Sequence, residues 1–223
     1  MVKFIRKTLY LLFQILTRPV FVGVENIPEE GACILATNHL SVLDAPLILC
    51  VQKRNDFTAL IARKHKKNIA FRFLVDTVKG IWIDRYLLEV QPLKEIITHL
   101  KKGGLLGVSP EGTRSLTHQL IKAKEGVAYL AAKTNTPILP IAVTGTEDAS
   151  WKIVFLQRPR VNVRFGKPFL LPPLDAGDRN GALERATDEI MCRIASMLPR
   201  KYWGVYGSHP RLKEILQEEA ALA

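Results

Sequence analysis

Short β-rich runs alternate with longer helical patterns along most of this chain, and that alternation limits the fold more than any other feature. Candidate strands lie at Ala32–Ala36, Phe57–Ala62, Val78–Ile83, Leu105–Val108, Ile138–Val143 and Val161–Phe165. Helical patterns fill most of the gaps, at Leu43–Val51, Ile69–Val75, Pro92–Leu100 and Ile121–Lys133, and a longer one runs from Gly181 to Leu198. Parallel strands need crossover connections of a dozen or more residues, which such helices supply. The pattern therefore predicts an α/β fold, a single domain with a mainly parallel central sheet flanked by helices. A length of 223 residues with 48% hydrophobic content suits one large domain with its own core. Pro172, Pro173, Gly177 and Gly181 mark a loop before the last long helix, and no repeat or low-complexity tract interrupts the chain. The expected boundaries are an N-terminal helix over 1–20, the main domain over 21–200 and a tail over 201–223, helical from Arg211.

The first segment is apolar from Thr8 to Thr17 and bounded by Lys7 and Arg18. It is too short to span a bilayer, which takes about 20 residues. On a helical wheel Lys3, Lys7, Gln14 and Arg18 share one narrow sector, while Phe4, Leu9, Leu12, Phe13 and Leu16 occupy the remainder. The segment reads as an amphipathic helix ended by Pro19. It either lies in a membrane interface, making the protein peripheral or monotopic on a cytoplasmic face, or packs against the domain. The formal net charge of +11 and pI near 9.7 imply an acidic partner: nucleic acid, an anionic membrane surface or a phosphorylated substrate. Basic residues are not interleaved with aromatics in the manner of a nucleic-acid platform, so no nucleic acid is expected. The run Arg63–Lys67 either cradles acidic headgroups or forms a solvated basic face. Cys33, Cys50 and Cys192 are odd in number and lack metal-ligand spacing, which predicts reduced thiols.

Polar clusters follow the strands. Asn38–Asp44 comes after the first, Ile83–Arg85 closes the third, Ser109–Ser115 follows the fourth and Thr144–Gly145 the fifth. In an open parallel sheet these positions share the carboxyl edge, where ligands bind. His39 and Asp44 are five apart, about 140° around a regular helix, so they face each other only if His39 precedes the helix. Pro46 supports a helix start there. Asp44 then reaches one imidazole nitrogen and leaves the other facing the crevice, the arrangement of a general base. The same residues admit a second account, in which Asp44 caps the helix or completes a Ser41-x-x-Asp44 box and His39 is a surface turn residue. In Ser109–Ser115, Gly112 frees the backbone, Thr113 adds a hydroxyl, and Arg114 offers a fork suited to phosphate. Glu111 holds Arg114, contacts a substrate hydroxyl or positions the loop. The bland alternative is an ordinary turn with a solvated Glu–Arg pair. Arg85 brings a second guanidinium to the edge, unless it merely pairs with Asp84. There is no HExxH, G-x-S-x-G, Walker or dinucleotide motif, and His65, His99, His118 and His209 show no ligand pattern. Neither metal nor covalent nucleophile is expected.

Together these blocks resemble the glycerolipid acyltransferase family with its HxxxxD motif, most of all the 1-acylglycerol-3-phosphate acyltransferases. Asn38-His39-x-x-x-x-Asp44 is similar to the family's first block, Gly80–Arg85 to its second, Pro110–Ser115 to its third and Thr136–Pro140 through Gly145 to its fourth. The order and spacing are family-like from about Gly23 to Gly145. The resemblance implies transfer of a fatty acyl group from a thioester, on coenzyme A or acyl carrier protein, to a lysophospholipid hydroxyl. It implies no cofactor beyond that co-substrate, and an anionic membrane surface as partner. His39 would be the base and Asp44 its partner. Asn38, Arg85, Glu111, Gly112, Thr113, Arg114 and Lys124 would bind substrate. Between the first two blocks the chain departs from the family pattern, with Arg63-Lys64-His65-Lys66 in place of a Lys-acidic-Leu stretch.

Overall fold

The computed structural model describes residues 2–51, 54–84, 89–173, 175 and 177–221. Among them, strands β1 (Arg18–Val22), β2 (Cys33–Thr37), β3 (Phe57–Ala62), β4 (Ile81–Ile83), β5 (Leu105–Val108), β6 (Ile138–Thr144) and β7 (Arg160–Phe165) form one sheet in the order β1-β7-β6-β2-β5-β3-β4. Every neighbouring pair is parallel except β6 with β7. The helices are α1 (Val2–Leu16), α2 (Asp44–Val51), α3 (Ile69–Thr77), α4 (Val90–Lys101), α5 (Gly126–Thr134), α6 (Ala149–Val154), α7 (Arg179–Ser196) and α8 (Pro210–Ala221). The central strands β2 and β6 read as near-continuous apolar runs because both of their faces are covered. Ile34, Ala36, Ile138 and Ala142 pack into a layer with α4, α5, α7 and α8. Cys33, Leu35, Leu139, Ile141 and Val143 pack into the other, with α1, α2 and α6.

The elements depart from the expected ones where tertiary contacts override local pattern. β1 is absent from the expected strands although Val20-Phe21-Val22 is a β-branched and aromatic run; it pairs with β7 at one edge of the sheet, and Pro19 is tolerated there because an edge strand leaves some N–H groups unused. β4 begins three residues later than the apolar run suggests. Lys79 takes a positive φ of 52° and the Gly80 N–H returns to the Val75 carbonyl at 2.8 Å, so Val78–Gly80 close α3 instead. The sequence pattern predicts no helix at Ala149–Val154, where α6 forms.

α1 packs on α2, burying Phe13 in the core and Arg6, whose guanidinium donates to the Arg54 carbonyl and to Asn55 Oδ1. Its outer face leaves Phe4, Leu11, Leu12 and Ile15 exposed, with Lys3 and Lys7 along one edge. The segment is thus docked on the domain and apolar on its free side. Among the described residues no helix is long and apolar enough to cross a membrane. The C-terminal segment packs into the first layer through Tyr202, Tyr206, Leu212 and Ile215.

Candidate active site

Three adjacent strands, β5, β2 and β6, deliver the site residues to one edge of the sheet. After β2 the chain turns through residues 38–43 before α2 begins at Asp44, and the turn is organised by a single carboxylate oxygen. Asp44 Oδ2 accepts from the N–H groups of Leu40 and Ser41, each at 2.8 Å, and lies 2.9 Å from His39 Nδ1. The other oxygen, Oδ1, accepts the Thr146 hydroxyl at 2.6 Å. A carboxylate among donors accepts only, which assigns the imidazole proton to Nδ1 and leaves Nε2 as the basic nitrogen. The His39 side chain is 22% exposed, whereas Asp44 is buried at 2%. The two sequence accounts of Asp44 merge here, since the oxygen that caps the turn is the one that holds the ring.

Glu111, just after β5, is buried and grips the same turn from the other side. Its Oε1 accepts the His39 N–H at 2.9 Å and its Oε2 the Ile121 N–H at 3.2 Å. The Ser115 N–H donates to the His39 carbonyl at 2.9 Å. Both backbone groups of His39 are therefore held by the Ser109–Ser115 loop. Of the roles the sequence allowed Glu111, positioning is the one observed; Arg114 is not its partner. Burial pushes the Glu111 carboxyl up to about 7 against the opposing pull of the His39 and Ile121 N–H groups, and the neighbouring Asp44 charge adds to the rise.

Asn38 requires a correction. Expected to touch substrate, it is fully buried with its side chain turned into the sheet, Nδ2 donating to the Val143 carbonyl at 2.9 Å and Oδ1 accepting the Val143 N–H at 2.8 Å. Its amide continues the pairing of β2 with β6 beyond the point where the β2 backbone leaves the sheet. Gly112 has φ +67°, a left-handed conformation that favours glycine, and the stem of Lys124 packs 3.3 Å from where a Cβ would be. The Lys124 N–H donates to the Pro110 carbonyl at 2.9 Å, folding the loop back on itself. Thr113 and Arg114 are exposed on this loop. Among the described residues Arg114 has no hydrogen bond or ion pair. Arg85 lies outside the described residues. The Arg63–Lys67 run forms a 3₁₀ turn at the end of β3, on the same edge, with Arg63 paired to Glu89 at 2.6 Å. Among the described residues no group of three or more His, Cys, Asp or Glu side chains is placed to hold a metal ion.

Thr146 carries no motif signal in the sequence. The only signal was positional: Thr144–Gly145 closes β6, and the next loop had to reach the same edge.

Fold and site define the class: an α/β protein with an HxxxxD pair at the carboxyl edge of a mainly parallel sheet. The chain belongs to the Acyltransferase family, whose model matches residues 18–144, more than half its length. It is 30% identical over 132 residues to the 1-acyl-sn-glycerol-3-phosphate acyltransferase of Borreliella burgdorferi, covering 58% of this chain and 52% of that protein. It is 31% identical over 166 residues to the protein of the same name from Cocos nucifera, covering 71% of this chain and 52% of that one. The chain thus spans about half the length of the curated relatives it matches. The crystal structure of the 1-acyl-sn-glycerophosphate (LPA) acyltransferase PlsC from Thermotoga maritima matches with a TM-score of 0.66 at 25% identity, over 85% of this chain and 76% of that chain.

Proposed function

We propose that the chain moves a fatty acyl group from a thioester, on coenzyme A or acyl carrier protein, to the sn-2 hydroxyl of 1-acylglycerol 3-phosphate, giving phosphatidic acid. The observation that carries this reading is the 2.9 Å approach of His39 Nδ1 to an Asp44 carboxylate whose second oxygen is held by Thr146. With the Nδ1 proton committed to Asp44, Nε2 takes the proton of the acceptor hydroxyl as its oxygen adds to the thioester carbonyl. The tetrahedral intermediate collapses, the C–S bond breaks, and the imidazolium returns the proton to the departing thiolate. The products are an ester and a free thiol, and His39 ends neutral.

Arg114, exposed on the loop that anchors His39, suits the acceptor phosphate, as does the basic run after β3. Arg85 takes the same role from the family pattern, with Gly112, Thr113 and Lys124 shaping the pocket. The reaction calls on no resident metal or prosthetic group. The apolar outer face and basic edge of α1 suit the cytoplasmic surface of an anionic membrane, where lysolipid and acyl chain are both held. The relatives' names support the choice of acceptor.

Purified protein should form phosphatidic acid from a thioester and 1-acylglycerol 3-phosphate. His39→Ala should lower turnover by roughly 10²- to 10⁴-fold with an unchanged circular dichroism spectrum. Arg114→Ala should raise the acceptor KM. Near-normal turnover by His39→Ala removes the imidazole from the mechanism, and preference for a phosphate-free lysolipid rejects the acceptor.

A further inference from the structure

Directly after Thr146 the chain forms α6 and a turn, and this segment exposes large apolar side chains: Trp151 at 68%, Val154 at 71%, Phe155 at 55% and Leu156 at 79%. Ala149 and Ile153 turn inward, into the layer shared with α1 and α2. The Trp151 and Phe155 rings meet edge to face with centroids 4.6 Å apart, so the two largest side chains form one knob. Exposed apolar side chains grouped in this way mark a binding surface.

Two observations identify what covers it. The segment is tied to α1, because the Arg158 guanidinium donates to the carbonyls of Gln14 at 2.7 Å and Thr17 at 3.4 Å, at the carboxyl end of that helix. The knob is therefore anchored beside the carboxyl end of the helix that exposes Phe4, Leu11, Leu12 and Ile15. Both segments are also basic in a chain that holds 21 acidic residues: residues 1–20 contain four Lys or Arg and no Asp or Glu, and Ala149–Lys167, from α6 through β7, contains five, of which Lys152 pairs with Asp148 at the start of α6 at 3.6 Å. A second copy of this chain would bring two positive surfaces together, whereas an anionic bilayer complements both the charge and the apolar side chains. Tryptophan beside basic residues is also the composition favoured at a lipid headgroup boundary.

We infer that α6 is a second lipid-inserting element, with Trp151, Val154, Phe155 and Leu156 entering the interface of an anionic bilayer beside α1. The inference rests on the proposed membrane-surface reaction and adds an orientation to it. One helix lying on a membrane leaves rotation about its own axis free; two attached elements do not. Since α6 grows out of the loop that holds Asp44 through Thr146, its insertion turns the carboxyl edge of the sheet toward the bilayer that supplies the acceptor.

The test uses the full chain and vesicles of phosphatidylcholine and phosphatidylglycerol carrying brominated acyl chains. The bromolipid should quench the wild-type tryptophan fluorescence, and Trp151→Phe should abolish most of that quenching, the difference isolating Trp151 from Trp82 and Trp203. Trp151→Ser/Phe155→Ser should partition into the vesicles about tenfold less well. Equal quenching of wild type and Trp151→Phe overturns the inference, as does unchanged partition of the double variant. If sedimentation shows a dimer that the double variant loses while its vesicle partition stays intact, the knob belongs to a second copy instead. These readouts need no turnover. Absence of acyl transfer with quenching intact sinks the proposed reaction alone, and unquenched Trp151 with normal turnover on a short-chain, water-soluble acceptor sinks the insertion alone.

Discussion

Asp44 shows how much one buried carboxylate can organise. Its oxygens are shared by His39, two backbone N–H groups and Thr146, so the ring is fixed only as well as the carboxylate is. Thr146→Val keeps the shape and removes one donor, leaving a buried oxygen unsatisfied at a cost of about 1–3 kcal/mol. The expected result is a kcat for the proposed acyl transfer lowered about tenfold with both KM values little changed; an unaltered kcat means that Asp44 orients the ring unaided. Glu111 gives a pH prediction. Its folded pKa of about 7 lies above the ordinary carboxylate value, so the folded state holds a proton that the unfolded chain has already released. The stability this lends is complete below the ordinary carboxylate range and disappears as pH rises through about 7. Urea unfolding at about pH 5 and about pH 8 should show wild type losing on the order of 2 kcal/mol relative to Glu111→Gln over that interval. Parallel pH profiles for the two proteins contradict this.

At the scale of elements, the segment from Ser109 to Glu125 explains both the site and the largest misreading. A helical pattern starts at Ile121, yet α5 begins at Gly126, because the earlier N–H groups are already committed elsewhere. Leu120 donates to the Tyr202 carbonyl, Ile121 to Glu111, Ala123 to the Tyr206 hydroxyl and Lys124 to the Pro110 carbonyl. Tyr202 and Tyr206 are remote in sequence, and Glu111 and Pro110 lie beyond the reach of a helical turn, so no local pattern reveals them. The same reason separates Asn38 from the role its motif suggests: its partner is a backbone 105 residues away. Gly204 clamps this loop with φ +51°, and a Cβ there would lie 2.1 Å from the Leu120 carbonyl oxygen. Gly204→Ala should destabilise the protein by about 1–3 kcal/mol, seen as a lower urea midpoint, and reduce turnover through the loosened loop. An unchanged midpoint shows that the C-terminal clamp is slack.

Across the whole molecule, the two layers behave differently. One is closed by α7 and α8; the other is closed by α1, so the same helix completes the core and presents the apolar surface. Removing residues 1–16 should therefore weaken vesicle association and also lower Tm by at least about 5 °C, because the cover over α2 and the Phe13 site goes with it. An unchanged Tm in differential scanning calorimetry contradicts the packing role. The sequence by itself determined the alternating α/β order, the parallel sheet, the basic amphipathic N-terminus and the HxxxxD pair, since strand and helix periods and a helix start are properties of neighbouring residues. Only the tertiary structure decided that Thr146 completes the acid, that Glu111 anchors His39 through its backbone, that Asn38 belongs to the sheet and that β1 pairs with β7. Each depends on groups far apart along the chain that meet only when the strands assemble, and separation in sequence carries no record of that meeting.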